Sequence, residues 1–218
     1  MSETQKGRLF VLEGLDGSGK ATQAKLLADA LRGQGRRVRQ VSFPDYESDS
    51  SALVRMYLAG AFGTRPGDVN AYAASSFYAV DRYASYRRDW DEFYHAGGVV
   101  IADRYTTSNA VHQYSNLSGE PGDAFLNWLF SYEYDLLGLP RPDAVLYLRV
   151  DPSVSERLLR ERGDASDIHE QDREYQARCR TAADYCAAKF GWQVVECVEG
   201  GKMRSVEDIH AEILRRIP

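Results

Sequence analysis

Arg8-Leu9-Phe10-Val11-Leu12-Glu13-Gly14-Leu15-Asp16-Gly17-Ser18-Gly19-Lys20-Ala21-Thr22-Gln23 is the stretch whose reading decides the architecture of this chain. It opens as a short apolar run of strand composition. It closes on a segment whose next apolar residues, Leu26, Leu27, Ala30 and Leu31, have helical spacing. Between the two, Gly14 to Lys20 satisfies the GxxxxGK part of the Walker A pattern, in the strand-loop-helix context that the pattern requires. Glycines let backbone N–H groups turn inward, a helix N-terminus adds positive potential, and a lysine supplies a mobile point charge. The expectation is a phosphate-binding loop built from Gly14, Leu15, Asp16, Gly17, Ser18, Gly19, Lys20, Ala21 and Thr22. A merely flexible glycine turn is the bland alternative, and the flanking strand and helix disfavour it.

Two residues of the loop carry extra information. Ala21 stands where a Ser or Thr usually ligates magnesium, so Thr22, or phosphates and water alone, must serve. Asp16 is a carboxylate among phosphates, which it would repel. Its side chain is therefore expected to point toward a second substrate or magnesium-bound water, the alternative being a loop-stabilising Asx turn.

Outward from the loop, apolar runs recur at Val38–Phe43, Gly98–Asp103, Ala144–Val150 and Trp192–Cys197, with Arg8–Glu13 as the first of the set. Runs such as Val99-Val100-Ile101 are apolar on consecutive residues, as suits a parallel strand covered on both faces. Amphipathic helices are expected near 19–32, 50–60, 68–96, 122–137, 153–162, 170–189 and 205–216. This alternation predicts an α/β fold: a doubly wound, five-stranded parallel sheet flanked by helices, with ligands at the carboxyl ends of the strands. One domain over residues 1–218 is expected, because nothing reads as a linker or a repeat. The polar stretch from Arg160 to Asp172 reads either as a lid segment, about 160–172, or as a solvated loop.

Composition narrows the function. The chain has 218 residues, 44% of them hydrophobic and 27% charged, with a net charge of -5 and no basic stretch beyond Arg36-Arg37-Val38-Arg39. That short run reads as the solvated lead-in to a strand. Such a balance argues against nucleic acid as a partner but leaves room for a small anion held locally. No apolar run is long enough for a membrane helix, and Met1 to Lys6 lacks the order of a signal peptide. Cys179, Cys186 and Cys197 are an odd number without a CxxC pair, which reads as reduced thiols in a cytoplasmic protein.

Three further groups read as an acceptor site. Asp103-Arg104-Tyr105 ends an apolar strand, placing an acid where it could hold magnesium and a guanidinium where it could clamp an anion, the alternative being a strand-end salt bridge. Ser108, Asn109, His112 and Gln113 follow on a helix, with Asn109 and Gln113 on one face, where amides could read a base edge or simply cap and solvate. Phe77, Tyr78 and Arg82 lie on the long helix, and the four-residue step from Tyr78 to Arg82 would suit a stacked base with its carbonyl held, or else a core stripe with a surface arginine.

Taken together, Glu13 to Gln23, Phe43-Pro44-Asp45-Tyr46, Phe77-Tyr78 with Arg82, and Asp103-Arg104-Tyr105 followed by Ser108-Asn109 resemble the thymidylate kinase family of P-loop nucleoside monophosphate kinases, in order and over nearly the whole chain. The resemblance implies transfer of the γ-phosphoryl group of ATP to dTMP, with Mg2+, in a homodimer. It implies that Lys20 and the loop amides hold the ATP phosphates. Asp16 would meet the acceptor sugar and the metal, and Asp103, with Asp16 and Thr22, would serve the metal. Arg104 would bind the acceptor phosphate with Phe43 and Tyr46 near it, and Tyr105 would pack near the sugar. Tyr78, rather than Phe77, would stack on thymine while Arg82 and Asn109 read its edge.

The chain departs from the family pattern at His112, where the family usually has Tyr or Phe near the sugar. It departs again at Asp167-Ile168-His169-Glu170, which lacks the usual lid arginine, so Arg157, Arg160 or Arg162 must meet transition-state charge. Two rivals remain open. One is another P-loop kinase, acting on a deoxynucleoside or a different monophosphate. The other is a GTP-binding switch protein, for which Asp135-Leu136-Leu137-Gly138 matches DxxG without any NKxD partner.

Overall fold

The computed structural model describes residues 6–217 except 66, 118, 152, 156 and 158–172. Strands β1 (Arg8–Glu13), β2 (Val38–Ser42), β3 (Val99–Asp103), β4 (Ala144–Arg149) and β5 (Gln193–Glu196) form one sheet in the order β2-β3-β1-β4-β5, with every neighbouring pair parallel. This is the doubly wound, five-stranded α/β arrangement expected from the alternating runs. The helices are α1 (Lys20–Gly33), α2 (Ala52–Leu58), α3 (Ala71–Ser85), α4 (Asp91–His95), α5 (Thr106–His112), α6 (Gly119–Phe130), α7 (Arg173–Phe190) and α8 (Val206–Arg216).

The consecutive apolar residues divide between two cores, because successive strand side chains point to opposite faces. Leu9, Val11, Val100, Ala102 and Tyr147 face one layer with α5, α6 and α7. Phe10, Leu12, Ile101, Leu146 and Leu148 face the other, where Ala24, Leu27, Ala28 and Leu31 of α1 and Ile209 and Ile213 of α8 cover them. Burying each such aliphatic side chain is worth roughly 1.5–3 kcal/mol, so the three central strands anchor whatever their carboxyl ends carry. In the register, Leu12 of β1 lies beside Asp103 of β3. The phosphate loop and the Asp103-Arg104-Tyr105 segment therefore leave the sheet side by side.

Several element boundaries differ from those expected. The helix anticipated over 68–96 starts after Asn70, whose side chain caps it by accepting from the Ala73 N–H at 2.9 Å. It then widens into a π-turn at Tyr86–Trp90 before α4. The 122–137 helix begins at Gly119 and ends in a second π-turn, Ser131–Leu136. A π-turn adds a residue to one turn without disturbing the apolar periodicity around it, so the spacing cannot reveal it. The 50–60 helix is a 3-10 turn, Asp49–Ser51, followed by α2, and a small hairpin of β6 (Val198–Glu199) and β7 (Lys202–Met203) was not expected. Of the 153–162 helix, residues 153–155 are helical and most of the rest, with the whole 160–172 lid segment, falls outside the described residues. Arg37 and Arg39, in the run expected to be a solvated lead-in to β2, are exposed and also rest on an aromatic ring. The guanidinium carbons of Arg37 and Arg39 lie 5.4 and 5.2 Å from the Phe93 ring centroid.

Candidate active site

The chain leaves β1 at Glu13 and re-enters regular structure at Lys20, turning through Gly17 and Gly19 at φ 77° and 87°. Two glycines are required for different reasons. At Gly19 an added Cβ would meet nothing within 4 Å, so only the left-handed backbone excludes other residues. At Gly14 a Cβ would lie 2.6 Å from Ser18 Oγ and 2.9 Å from the Leu148 carbonyl, so the restriction there includes space. No side chain caps α1 at Gly19 and no acidic residue sits in its first turn. The N–H groups at the start of α1 are thus left to an external anion, with the helix dipole behind them. Lys20, nearly buried, donates from Nζ to the Leu15 carbonyl at 2.9 Å. Burial and the nearby Arg104 charge lower its pKa to about 8, against the pull of Asp16, Asp103 and Glu13.

Beside the loop, Glu13 and Arg104 organise the junction. Glu13, 1% exposed, accepts from the Gly14 N–H (2.9 Å), Thr107 Oγ1 (2.6 Å) and Ser108 Oγ (2.9 and 3.0 Å). Its Oε1 lies 3.7 Å from Arg104 Nη1. Arg104 Nη1 also donates to the Gly14 carbonyl at 3.3 Å, and Nη2 donates to Asp16 Oδ1. Burial pushes the Asp16 carboxyl up, but Arg104, Lys20 and the hydrogen bond from Arg104 outweigh it and hold the group well below the usual carboxylate range. The Arg104 backbone adopts φ 66°, a left-handed conformation that costs a non-glycine residue roughly 1–2 kcal/mol. The Arg104 N–H is fixed meanwhile by the Leu12 carbonyl at 3.1 Å.

The Asp16–Arg104 pair borders a cleft with roughly 530 Å³ of empty space, whose other walls include Leu58 of α2 and three further parts of the chain. Phe43, Pro44 and Tyr46 follow β2 through a cis Phe43–Pro44 bond; Tyr78 and Arg82 come from α3; Tyr105, Ser108, Asn109, His112 and Gln113 come from the α5 region. Nearly all the acceptor-site residues anticipated from the sequence therefore meet at one place. Phe77 does not line the cleft; it packs on Phe62 and Tyr57, with ring centroids 5.5 and 6.3 Å away. Thr22 is exposed on the first turn of α1, outside the cleft lining, and Arg157 is exposed and also outside it. Arg160 and Arg162 lie beyond the described residues.

The polar groups of the cleft are individually oriented. Asn109 donates one N–H of Nδ2 to the Ser75 carbonyl at 3.1 Å, which fixes how the amide is turned and leaves Oδ1 able to accept and the second N–H able to donate. Gln113 is 2% exposed, and its Oε1 is buried without a hydrogen-bond partner among the described residues. His112 Nδ1 lies 3.1 Å from the hydroxyl of buried Tyr175 on α7, whose O–H donates to the His112 carbonyl at 3.3 Å. Arg82 is not the surface arginine that spacing alone would allow. It is 1% exposed and directs Nε and Nη2 at Glu133, at 2.7 and 2.5 Å. Asp81 next to it accepts from the Asp45 N–H (2.9 Å) and Ser50 Oγ (2.6 Å), tying the turn that carries Tyr46 to α3.

Asp103, at the end of β3, is 9% exposed, and no hydrogen bond to its carboxylate joins it to another described residue. Its charge acts on both Lys20 and Arg104. A lone, unspent carboxylate beside a phosphate loop fits magnesium, which keeps most of its waters and takes one or two carboxylates plus phosphate oxygens. Asp16, already paired with Arg104, is less available for that duty. Sequence reasoning assigned no role to Glu13, Thr107, Asp81 or Glu133. An acid directly before the loop glycine was the visible signal for Glu13, whereas the Glu133 carboxylate meets Arg82 and Thr106, both distant from it in sequence.

The DxxG match is remote from this site. Asp135 pairs with Arg141 at 2.7 Å, and Asp143 donates its N–H to the carbonyl of Leu9 at the start of β1, the opposite end of the sheet from the loop.

The thymidylate kinase family model matches residues 12–213. A thymidylate kinase of Mycobacterium tuberculosis is 33% identical over 197 residues, covering 84% of this chain and 87% of the relative. One from Schizosaccharomyces pombe is 28% identical over 214 residues, covering 98% and 93%. The solved structure of a thymidylate kinase from Candida albicans superposes with a TM-score of 0.71 over 96% of this chain and 90% of that one, at 23% identity, which shows a shared fold.

The left-handed backbone of Arg104 yields a stability comparison. Arg104→Gly and Arg104→Ala both lose the Asp16 pair, but glycine relieves the φ constraint. The glycine variant is expected to be the more stable of the two by about 1 kcal/mol in urea denaturation. Equal stabilities, or a more stable alanine variant, would show that the backbone there is unstrained.

Proposed function

The chain belongs to the thymidylate kinase family, and we propose from that premise that it transfers the γ-phosphoryl group of ATP to the phosphate of dTMP in the cleft beside the phosphate loop. One observation carries the acceptor's identity. Asn109 gives one Nδ2 N–H to Ser75, which turns the amide so that Oδ1 can accept from a ring N–H of the ligand, while Arg82 offers N–H groups to a carbonyl. A carbonyl beside a ring N–H is the edge of thymine or uracil. Cytosine presents an amino group and a bare ring nitrogen there, which would set donor against donor and acceptor against acceptor. Tyr78 supplies the ring on which that base stacks.

The mechanism rests on positioning and charge neutralisation, as in-line phosphoryl transfer generally does. The loop N–H groups and Lys20 hold the β- and γ-phosphates of the donor, Lys20 giving up its contact with the Leu15 carbonyl. Arg104 holds the acceptor phosphate, its direction set by Asp16 and Glu13. Asp16 lies at the sugar end of the acceptor. Asp103 would hold Mg2+ through water, and the ion supplies charge neutralisation between donor phosphates when bound. Ser155 Oγ donates to the Asp16 carbonyl, so the base of the lid region is joined to the loop itself. Arg157 and Arg162 remain candidates for contact with the transferred group.

A homodimer is part of the same reading. Leu53 and Met56 on α2 and Tyr72, Val80 and Tyr83 on α3 are exposed, and those on α3 follow one another at helical spacing along a single face. A second copy would cover that apolar stripe. The compartment is taken as the cytoplasm. The free, buried thiols of Cys179, Cys186 and Cys197 suit a reducing environment, and no helix among the described residues is long and apolar enough to cross a membrane.

Three measurements check this account. With purified protein and ATP, dTMP should be phosphorylated far faster than thymidine or dCMP, and Arg104→Ala should raise KM for dTMP at least about tenfold while leaving that for ATP within about threefold; turnover of thymidine in place of dTMP would refute it. Because the Lys20 ammonium, its pKa lowered to about 8 in the free protein, must be charged to hold phosphate, ATP affinity should fall roughly 25-fold between about pH 7.5 and about pH 9.5 by calorimetry. A flat profile would mean that Lys20 is not the cation involved. Light scattering should give twice the monomer mass for the native chain and the monomer mass for the Met56→Asp/Val80→Asp variant; a native monomer would end the dimer proposal.

A further inference from the structure

Glu133 is the one acidic residue described as fully buried with both carboxylate oxygens engaged by another element's guanidinium, and the substrate reading above gives it no role. It is 0% exposed and lies in the π-turn Ser131–Leu136 that extends α6. Its Oε2 accepts from Arg82 Nε at 2.7 Å and from Thr106 Oγ1 at 2.6 Å, and its Oε1 accepts from Arg82 Nη2 at 2.5 Å. The Glu133 carbonyl accepts from the Leu139 N–H at 3.0 Å, fixing the turn's own exit. One carboxylate therefore joins α3, the first residue of α5 and the end of α6.

A guanidinium is planar, so two N–H bonds to a carboxylate remove its freedom to rotate or tilt. With Nε and one N–H of Nη2 committed to Glu133, the N–H groups that remain for a ligand are the two on Nη1 and the second on Nη2, and Arg82 lines the acceptor cleft. Without the carboxylate, a long side chain in a buried cleft would have several rotamers, and its charge would be uncompensated. We propose that Glu133 is a positioning residue for acceptor recognition: it locks Arg82 in the single orientation that presents those remaining N–H groups to the carbonyl of the acceptor base, and Thr106 in turn holds Glu133. The anchoring also ties that orientation to the segment that carries Arg104, because Thr106 follows Arg104 by two residues. This inference rests on the reading of Arg82 as the base-carbonyl donor.

The test is steady-state kinetics of the full chain with dTMP, dCMP and ATP for Glu133→Gln, Thr106→Val, Arg82→Met and the double variant Arg82→Met/Glu133→Gln. Glu133→Gln keeps the volume but offers Arg82 one acceptor instead of two. It is expected to raise KM for dTMP at least about tenfold, shrink the dTMP over dCMP preference by a similar factor, and leave KM for ATP within about twofold. In the Arg82→Met background the same substitution should have no further effect on either quantity, since it acts through Arg82. Thr106→Val, which removes a single hydrogen bond from Glu133, should move KM for dTMP the same way by about twofold to fivefold and serves as the deciding variant if Glu133→Gln does not fold. Unchanged dTMP KM and base preference in Glu133→Gln, or in Thr106→Val where only that variant folds, overturns the proposal. So does a loss that is equal for both substrates or persists undiminished without Arg82. If Arg82→Met itself leaves dTMP binding and preference intact, the reading of Arg82 fails first, and the two failures are thereby told apart.

Discussion

A guanidinium caught between two carboxylates, Arg104 between Glu13 and Asp16, is the constraint on which the rest of the site depends. Glu13 ends β1 and Arg104 follows β3, so the interaction spans the two strands at the centre of the sheet. Gathering a guanidinium and two acidic side chains in a largely enclosed place is costly unless each is hydrogen-bonded. Here the Gly14 N–H and the Thr107 and Ser108 hydroxyls satisfy the remaining valences of Glu13. The arrangement fixes the phosphate loop relative to the α5 helix. It also holds Arg104 in a backbone conformation that it would not otherwise choose.

That junction has a direct chemical consequence. Phosphoryl transfer needs donor and acceptor phosphates held within contact distance despite their mutual repulsion, and it needs little else from the protein. A loop whose helix N-terminus is uncapped offers the first set of donors, and Arg104 offers the second. Asp16, kept ionised by its cationic neighbours, sits between them. In the proposed reading the cleft wall selects the acceptor by hydrogen-bond polarity, and Asn109 and Arg82 are each turned by a partner, Ser75 and Glu133, that is not itself in the cleft. On that proposal, selectivity rests on the bonds that orient the recognition groups as much as on those groups themselves.

Much of this was legible in the sequence, because it is carried by local patterns. The double-sided apolar runs required a covered parallel sheet, and the glycine spacing followed by Lys20 required a phosphate loop. The residues expected at the acceptor site, from Phe43 and Tyr46 to Gln113, line one cleft with the exception of Phe77. Phe77 and Tyr78 could not be ranked by composition, since adjacent helix positions differ by about 100° in direction and only packing decides which one faces the ligand. The two π-turns escaped for a related reason, as inserting one residue preserves the apolar spacing on either side.

The covered strands, the phosphate loop and the chemistry of an anionic substrate were legible in the sequence itself, since each depends on residues within a few positions of one another. Only the tertiary structure decided the electrostatic roles. Whether Asp16 faces a metal or Arg104, whether Arg82 lies on the surface or against Glu133, and which way the Asn109 amide is turned all depend on partners 34 to 88 residues away. A charge's role is set by what surrounds it in a medium of low dielectric, and those surroundings exist only once distant segments have been packed together.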